Sequence, residues 1–482
     1  MLMTAIAMVA VASLAGCSAN ADLDTNTPGS NEQEETNVPV SFNSYLAQSK
    51  TTRAGETTRA SEMTTDELQK TGFGVVAYYT GKDQYTSGST KIEPNFMYNT
   101  RVGDTGWTYS PVMYWPNGGQ TEGATPGEGT QYLSFFAYAP YKASFTGATT
   151  GITALSSNSA EGDPTVSYTF GATGADADLL WGTAGENGNT TSGAKQNGTT
   201  FSGAKAAVNA NLSKMKVDGK VKFNFKHALA KFGGTGTSAD GKTGLQVVAD
   251  IDNGTAVTGG TLNGEETKIT VKSIKIESVN SDGSKDKSIA TSGSLNLATG
   301  VWTTSDSNMG KIDYEIKSPA YTATSGATTQ DMNAAIAEPE SVANGETGWN
   351  SLPAGVTTTA KSVYTETTPL LLIPDGNDHT LRISIDYIVR TKNASLHKGY
   401  TEVEQSFYKD LTLKSVSLNA KYNLLIHLGL TSVKFEATVS DWTNTIAGGT
   451  TSGTATDPAK ATDPAKATDP IVIYMPANVA NN

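Results

Sequence analysis

Cysteine is almost missing from this chain of 482 residues: Cys17 is the only one. Disulfides within the chain are therefore excluded, and a cysteine-ligated metal site is not expected. Histidine is nearly as scarce, with four scattered residues, His227, His379, His397 and His427. None has a Glu at helical spacing, and no Gly-x-Ser-x-Gly nucleophile elbow occurs. Cationic clusters are also absent. With 35 basic against 47 acidic residues and a net charge of -12, the chain lacks the Lys and Arg patches that displace counterions from nucleic acid. No catalytic residues and no cofactor are expected, and DNA or RNA is not an expected partner.

What is present is glycine (49 residues), threonine and serine, which signals short strands joined by polar turns. The length suits two domains. Phe73-Gly74-Val75-Val76-Ala77-Tyr78-Tyr79 reads as a buried strand, preceded by a short helix capped at Thr64-Thr65-Asp66-Glu67. Trp107 to Asn117 and Tyr132 to Tyr141 are aromatic-rich strands broken by Gly, Asn and Pro. Strands without intervening helices favour β-sandwiches over a parallel sheet. At strand spacing the aromatics read as core; a stacking platform for carbohydrate is the alternative. Gly182 to Ala206 reads as an exposed insertion.

A second β pattern opens at Val221, where Val221, Phe223, Phe225, His227 and Leu229 share one face. His227 thus reads as a core histidine. Later strands are expected at Leu245–Ile251, Ile269–Ile276, Leu370–Pro374, Leu381–Val389, Tyr422–Leu428 and Val433–Val439. The domain boundary is expected near Lys214 to Lys220.

Two local patterns mimic chemistry. Gly236 to Thr243 matches a phosphate-binding loop in letters, but that chemistry needs a helix directly after Lys242-Thr243, and Leu245 onward is strand-like. Asp375, Asp378 and His379 lie close in sequence, yet Asp-Gly and Asn-Asp are what a hairpin turn uses. No metal site is assigned.

The two ends carry the rest. Met1 to Leu14 is almost wholly apolar and leads into Leu14-Ala15-Gly16-Cys17. The run is too short to span a bilayer permanently but suits an export signal, and small residues before Cys resemble the bacterial lipobox. Cys17 would then bear the lipid. No Lys or Arg precedes the apolar run, which points to a start codon further upstream or a trimmed sequence. Ser18 to Thr36 is a polar tether. Val38 to Leu46 alternates, with Val38, Val40, Phe42 and Leu46 on one face, and is followed by a polar run holding Arg53-Ala54 and Arg59-Ala60. Those two bonds are targets for a trypsin-like protease. At the far end, Ala455-Thr456-Asp457-Pro458-Ala459-Lys460 repeats at Ala461 to Lys466 as a hydrated spacer. Ile471-Val472-Ile473-Tyr474-Met475-Pro476 follows, apolar on both faces. It has no obvious partner in its own sandwich, and exposed it would be an aggregation hazard. Strand addition to another molecule is its expected use.

Taken in order, Gly72 to Tyr78, Trp107 to Pro116, Leu133 to Pro140, Phe225 to Lys231, Leu418 to Tyr422 and Val439-Ser440-Asp441-Trp442 resemble the fimbrillin family of Bacteroidales, the pilins of type V fimbriae. The resemblance spans about Thr36 to Trp442. It implies an all-β chain of two transthyretin-like β-sandwich domains in tandem, with a lipoprotein signal and a flexible donor-strand tail. The implied division is 1–16 signal peptide, 17–59 tether and removable strand, 60–216 and 217–446 the two sandwiches, and 447–482 spacer and donor. It further implies an outer-membrane lipoprotein precursor, acylated (palmitate) at Cys17 and cut by an arginine-specific protease at Arg53-Ala54 or Arg59-Ala60. The donor strand would be Ile471, Val472, Ile473, Tyr474 and Met475, and the product a cell-surface fimbrium of like subunits supporting adhesion. The alternatives are a surface-anchored glycan-binding lipoprotein and a fimbrial tip or anchor subunit. The Thr-Asp-Pro-Ala-Lys spacer departs from the family pattern.

Overall fold

The computed structural model describes residues 38–46, 65–116, 131–171, 178–184, 195–196, 199–200, 208–213, 220–233, 244–249, 267–340, 348–364, 370–429, 433–441 and 471–475. Within them the chain is almost entirely β. The short helix α1 (Thr65–Thr71) precedes the strand β2 (Phe73–Gly81), as the capping signal predicts.

The first sheet runs β1 (Ser41–Leu46), Lys220–His227, Leu180–Ala184, β4 (Tyr132–Ala139), β2 and β3 (Met97–Val102). Its central strands are covered on both faces. In β2, Phe73, Val75 and Ala77 face one core while Val76 and Tyr78 face another; in β4, Phe135 and Ala137 oppose Phe136 and Tyr138 in the same way. A strand buried on both sides has no use for a polar alternation, and all eight residues of β4 are buried. Backbones approach closely here. A Cβ at Gly182 would lie 2.8 Å from Ala137 Cβ and 3.0 Å from Phe223, so a side chain at this central position would push two strands apart.

The first core (Phe42, Phe73, Phe135, Phe223, Phe225 and neighbours) is closed by Leu68 of α1 and by Trp107 and Trp115. The second lies against a smaller sheet of Trp302–Thr303, Ser292–Asn296, Thr165–Thr169 and Gly151–Leu155. A third core fills the space between two further sheets. One holds Leu245–Ala249, Ala420–Leu428, Ala230–Phe232 and Leu370–Leu372; the other holds Asp313–Lys317, Thr267–Val279, His379–Lys392 and Tyr400–Leu413.

Strand membership departs from the expected boundary. Lys220–His227 pairs antiparallel with Leu180–Ala184 and parallel with β1, so it belongs with the first sheet although it lies beyond residue 216. Ser292–Asn296 likewise pairs with Thr165–Thr169, far behind it in sequence. Alternation shows that a strand has a buried face but not which sheet supplies the cover. Trp107 to Trp115, expected as strand, is instead an irregular strap that joins the sheet only at isolated bridges.

Asp163 shows how the hairpin from the later sequence is fastened. Its carboxylate accepts from Tyr85 Oη (2.7 Å), Ser87 Oγ (2.6 Å), Gly88 N (3.3 Å) and Asn296 Nδ2 (2.9 Å). Burial opposes ionisation, but these donors outweigh it and hold the Asp163 carboxyl below its ordinary value. A depressed folded-state value means the contribution is present above the unfolded carboxyl's range, near pH 4, and fades as pH falls further. Asp163→Ala is expected to cost on the order of 2 kcal/mol at pH 7, the scale of charge-assisted hydrogen bonds. The deficit should shrink in guanidinium unfolding below pH 4; one that stays constant would contradict the assignment.

Candidate strand-exchange groove

β1 is the edge of the first sheet and lies within the segment that the resemblance implies is removed. Alternation turns Val40 and Phe42 inward, at 1% and 4% exposure, while Asn43 faces solvent. From Ser41 to Leu46 the strand runs parallel to Lys220–His227, in register from Ser41 opposite Lys220 to Leu46 opposite Phe225. Phe42 sits at the centre of an aromatic cluster, with ring centroids 5.2 Å from Tyr109, 5.9 Å from Phe135 and 6.3 Å from both Phe73 and Phe223.

The strap Tyr109–Trp115 forms a second wall for the beginning of this segment. Val40 N donates to Met113 O (2.8 Å), Trp115 N donates to Val38 O (2.9 Å), and Tyr109 Oη donates to Val40 O (2.6 Å). Met113 N in turn donates to Tyr109 Oη at 3.2 Å. Burial pushes the Tyr109 phenol above its ordinary value, against the opposing backbone bond to Met113, so it stays a neutral donor. Residues 38–46 thus lie in a slot walled by the strap at one end and by a strand along the rest, floored by aromatic rings. Sequence reasoning found the strand but not the strap; Tyr109 gave no signal beyond its type.

Two of the three groups of expected site residues lie outside the described residues: Cys17, and the cleavage positions Arg53, Ala54, Arg59 and Ala60. The third is placed, with a correction. Ile471–Met475 pairs antiparallel with Val433–Asp441 of its own sheet, from Ala437 opposite Ile471 to Val433 opposite Met475. The expectation that this segment lacks a partner in its own sandwich therefore fails. An apolar strand at the end of a long spacer can reach any open edge, and the edge of Val433–Asp441, whose other side is taken by Ala420–Leu428, is one. Ile471–Met475 thus forms an outer strand of that sheet, held by a single ladder.

The remaining candidates resolve into structure. Most of the aromatics are core, as their strand spacing suggests: Trp115, Phe135, Phe136 and Tyr138 are 2% exposed or less, while Tyr114 of the strap is 48% exposed. His227 is buried and bonds through Nδ1 to the Asp178 carboxylate. His379 Nε2 meets Asp375 Oδ1 at 2.8 Å, whereas Asp378 turns to Lys414 Nζ (2.6 Å) and Ser415 N (2.9 Å). The three do not converge. Among the described residues no group of three or more His, Cys, Asp or Glu is arranged to hold a metal. The phosphate-loop look-alike lies wholly outside the described residues, and the strand Leu245–Ala249 follows it where a helix is required.

No protein-family model matches the chain. A fimbrium subunit, Fim1C of Phocaeicola vulgatus, is 29% identical over 164 residues, covering 33% of this chain and 36% of the relative, so the match spans only about a third of the relative's length. The crystal structure of a fimbrial protein from Bacteroides vulgatus superposes with a TM-score of 0.53 at 18% identity, over 84% of this chain and 99% of the other. The resemblance to fimbrillins is borne out: this chain is similar to a fimbrium subunit in sequence over a third of its length, and it shares the all-β fold of a Bacteroides fimbrial protein.

Proposed function

We propose that the chain is a structural subunit of a cell-surface fimbria, not an enzyme, and that it joins the fibre by exchanging β1 for a strand of a neighbouring subunit. The observation that carries this reading is the position of β1. It is an edge strand that buries Val40 and Phe42, so its departure leaves the rest of the sheet paired while uncovering an apolar slot. A strand inserted there restores backbone hydrogen bonds and side-chain contacts as intermolecular ones. Head-to-tail insertion gives an open filament.

In this reading the precursor is exported and anchored in the outer membrane through lipid on Cys17. A trypsin-like protease hydrolyses Arg53-Ala54 or Arg59-Ala60, β1 leaves, and Ile471–Met475 of the next subunit enters. Before that, β1 blocks premature assembly. The tail must first leave Val433–Asp441, which costs one ladder at an edge. That self-pairing favours a second reading, in which the tail stays at home and the chain is a terminal subunit or a surface-anchored lipoprotein.

Treating the purified chain with an arginine-specific protease separates them. Strand exchange predicts a ladder of oligomers by size-exclusion chromatography after cleavage and monomer without it. Monomer in both samples, with the loop cut and residues 38–46 gone, would contradict polymerisation.

A further inference from the structure

Deepening that reading, on which it rests, one residue of β1 fits its slot poorly. Ser44 is 5% exposed and faces inward opposite Phe223, yet its hydroxyl has no hydrogen-bond partner. Its backbone N–H donates to Asn43 Oδ1 at 2.9 Å, which leaves Oγ alone. Several other buried serine hydroxyls are paired: Ser134 Oγ accepts from Asn211 N at 3.0 Å, and Ser278 Oγ accepts from both Ser288 Oγ and Ile312 N at 2.7 Å. Ser213 and Ser318 share the defect, but neither lies on the strand that leaves.

A buried hydroxyl without a partner destabilises the state that buries it and regains water when exposed. On a permanent strand this is only a defect. On a replaceable strand it biases the exchange outward. We infer that the position under Ser44 is a subsite for an apolar side chain of the incoming strand, which the resident strand leaves mismatched so that it can be displaced. The segment Ile471-Val472-Ile473-Tyr474-Met475 meets this demand with one face. Turned that way it offers Ile471, Ile473 and Met475, none with a hydrogen-bonding hydroxyl, amide or charge; turned the other way it offers Val472 and Tyr474, whose phenol would itself need a partner. The neighbouring inward positions, held by Val40 and Phe42, are already apolar.

The full chain, cut with an arginine-specific protease, tests this by native mass spectrometry of the retained N-terminal segment over time, with and without a synthetic peptide of residues 470–477. Ser44→Ala removes the hydroxyl without adding volume, and Ser44→Val fills the subsite. Relative to the wild type, the segment is expected to persist roughly tenfold longer in Ser44→Ala, the scale of one unsatisfied buried hydroxyl. Displacement by the peptide should slow in proportion. Ser44→Val, if it folds, should release no faster than Ser44→Ala. Equal or faster release from Ser44→Ala, with the wild-type segment leaving normally, overturns the subsite and leaves strand exchange standing. A segment that never leaves either protein, peptide or not, sinks both.

Discussion

A chain ending before Ile471 should fold and be exported as a monomer and should enter no polymer. The loss is expected to be complete, because strand exchange has no partial form: without an occupant for the neighbour's slot no junction is made. The pairing of Ile471–Met475 with Val433–Asp441 makes the experiment sharper. If that ladder is a resting place, the truncated monomer unfolds near the wild-type midpoint, since the Ala420–Leu428 ladder still holds Val433–Asp441 from the other side. If the tail is a permanent strand of its own sheet, truncation exposes an edge over Val433 and Phe435, both buried, and the midpoint falls sharply. Filaments that persist after truncation would remove the segment from the mechanism altogether.

Phe42→Ala is expected to cost about 3–5 kcal/mol in the uncleaved chain, the range for truncating a fully buried Phe. Phe42 is the ring that Phe73, Tyr109, Phe135 and Phe223 close upon. Guanidinium unfolding of the precursor measures this. The same substitution should leave the assembled fibre as stable as wild type, because Phe42 departs with β1 and is no part of the finished polymer. This asymmetry separates a removable strand from a resident one, for which precursor and final form would weaken together.

Much of the fold was legible where cover is local and one-sided or complete. β2, β4, Thr267–Val279 and Ala420–Leu428 announce themselves by apolar runs or alternation, and His227 by its place on an apolar face. The long strand Tyr400–Leu413 gave no such signal. It is the outer strand of its sheet, paired along its length with His379–Lys392, and most of its side chains meet solvent. Its sequence therefore answers to backbone hydrogen bonding and not to burial. Pairing between distant segments was equally invisible: Lys220–His227 and Ser292–Asn296 show a buried face but carry no address for the sheet they join. The tail failed for a related reason. A segment apolar on both faces specifies no partner, so its chemistry suits its own edge and a neighbour's slot alike. Of the groove, the alternating residues of β1 were readable, while the strap was hidden because two of its three bonds to Val38 and Val40 are backbone to backbone and leave no mark on residue type, and the third needs only a Tyr hydroxyl.

The central claim is that β1 is absent from the finished subunit, and the mass of chains recovered from surface fibres tests it most directly. The account predicts polypeptides beginning at Ala54 or Ala60 that have lost residues 38–46. Fibre-bound chains beginning at a lipid-bearing Cys17, with Val40 and Phe42 still in place, would contradict it.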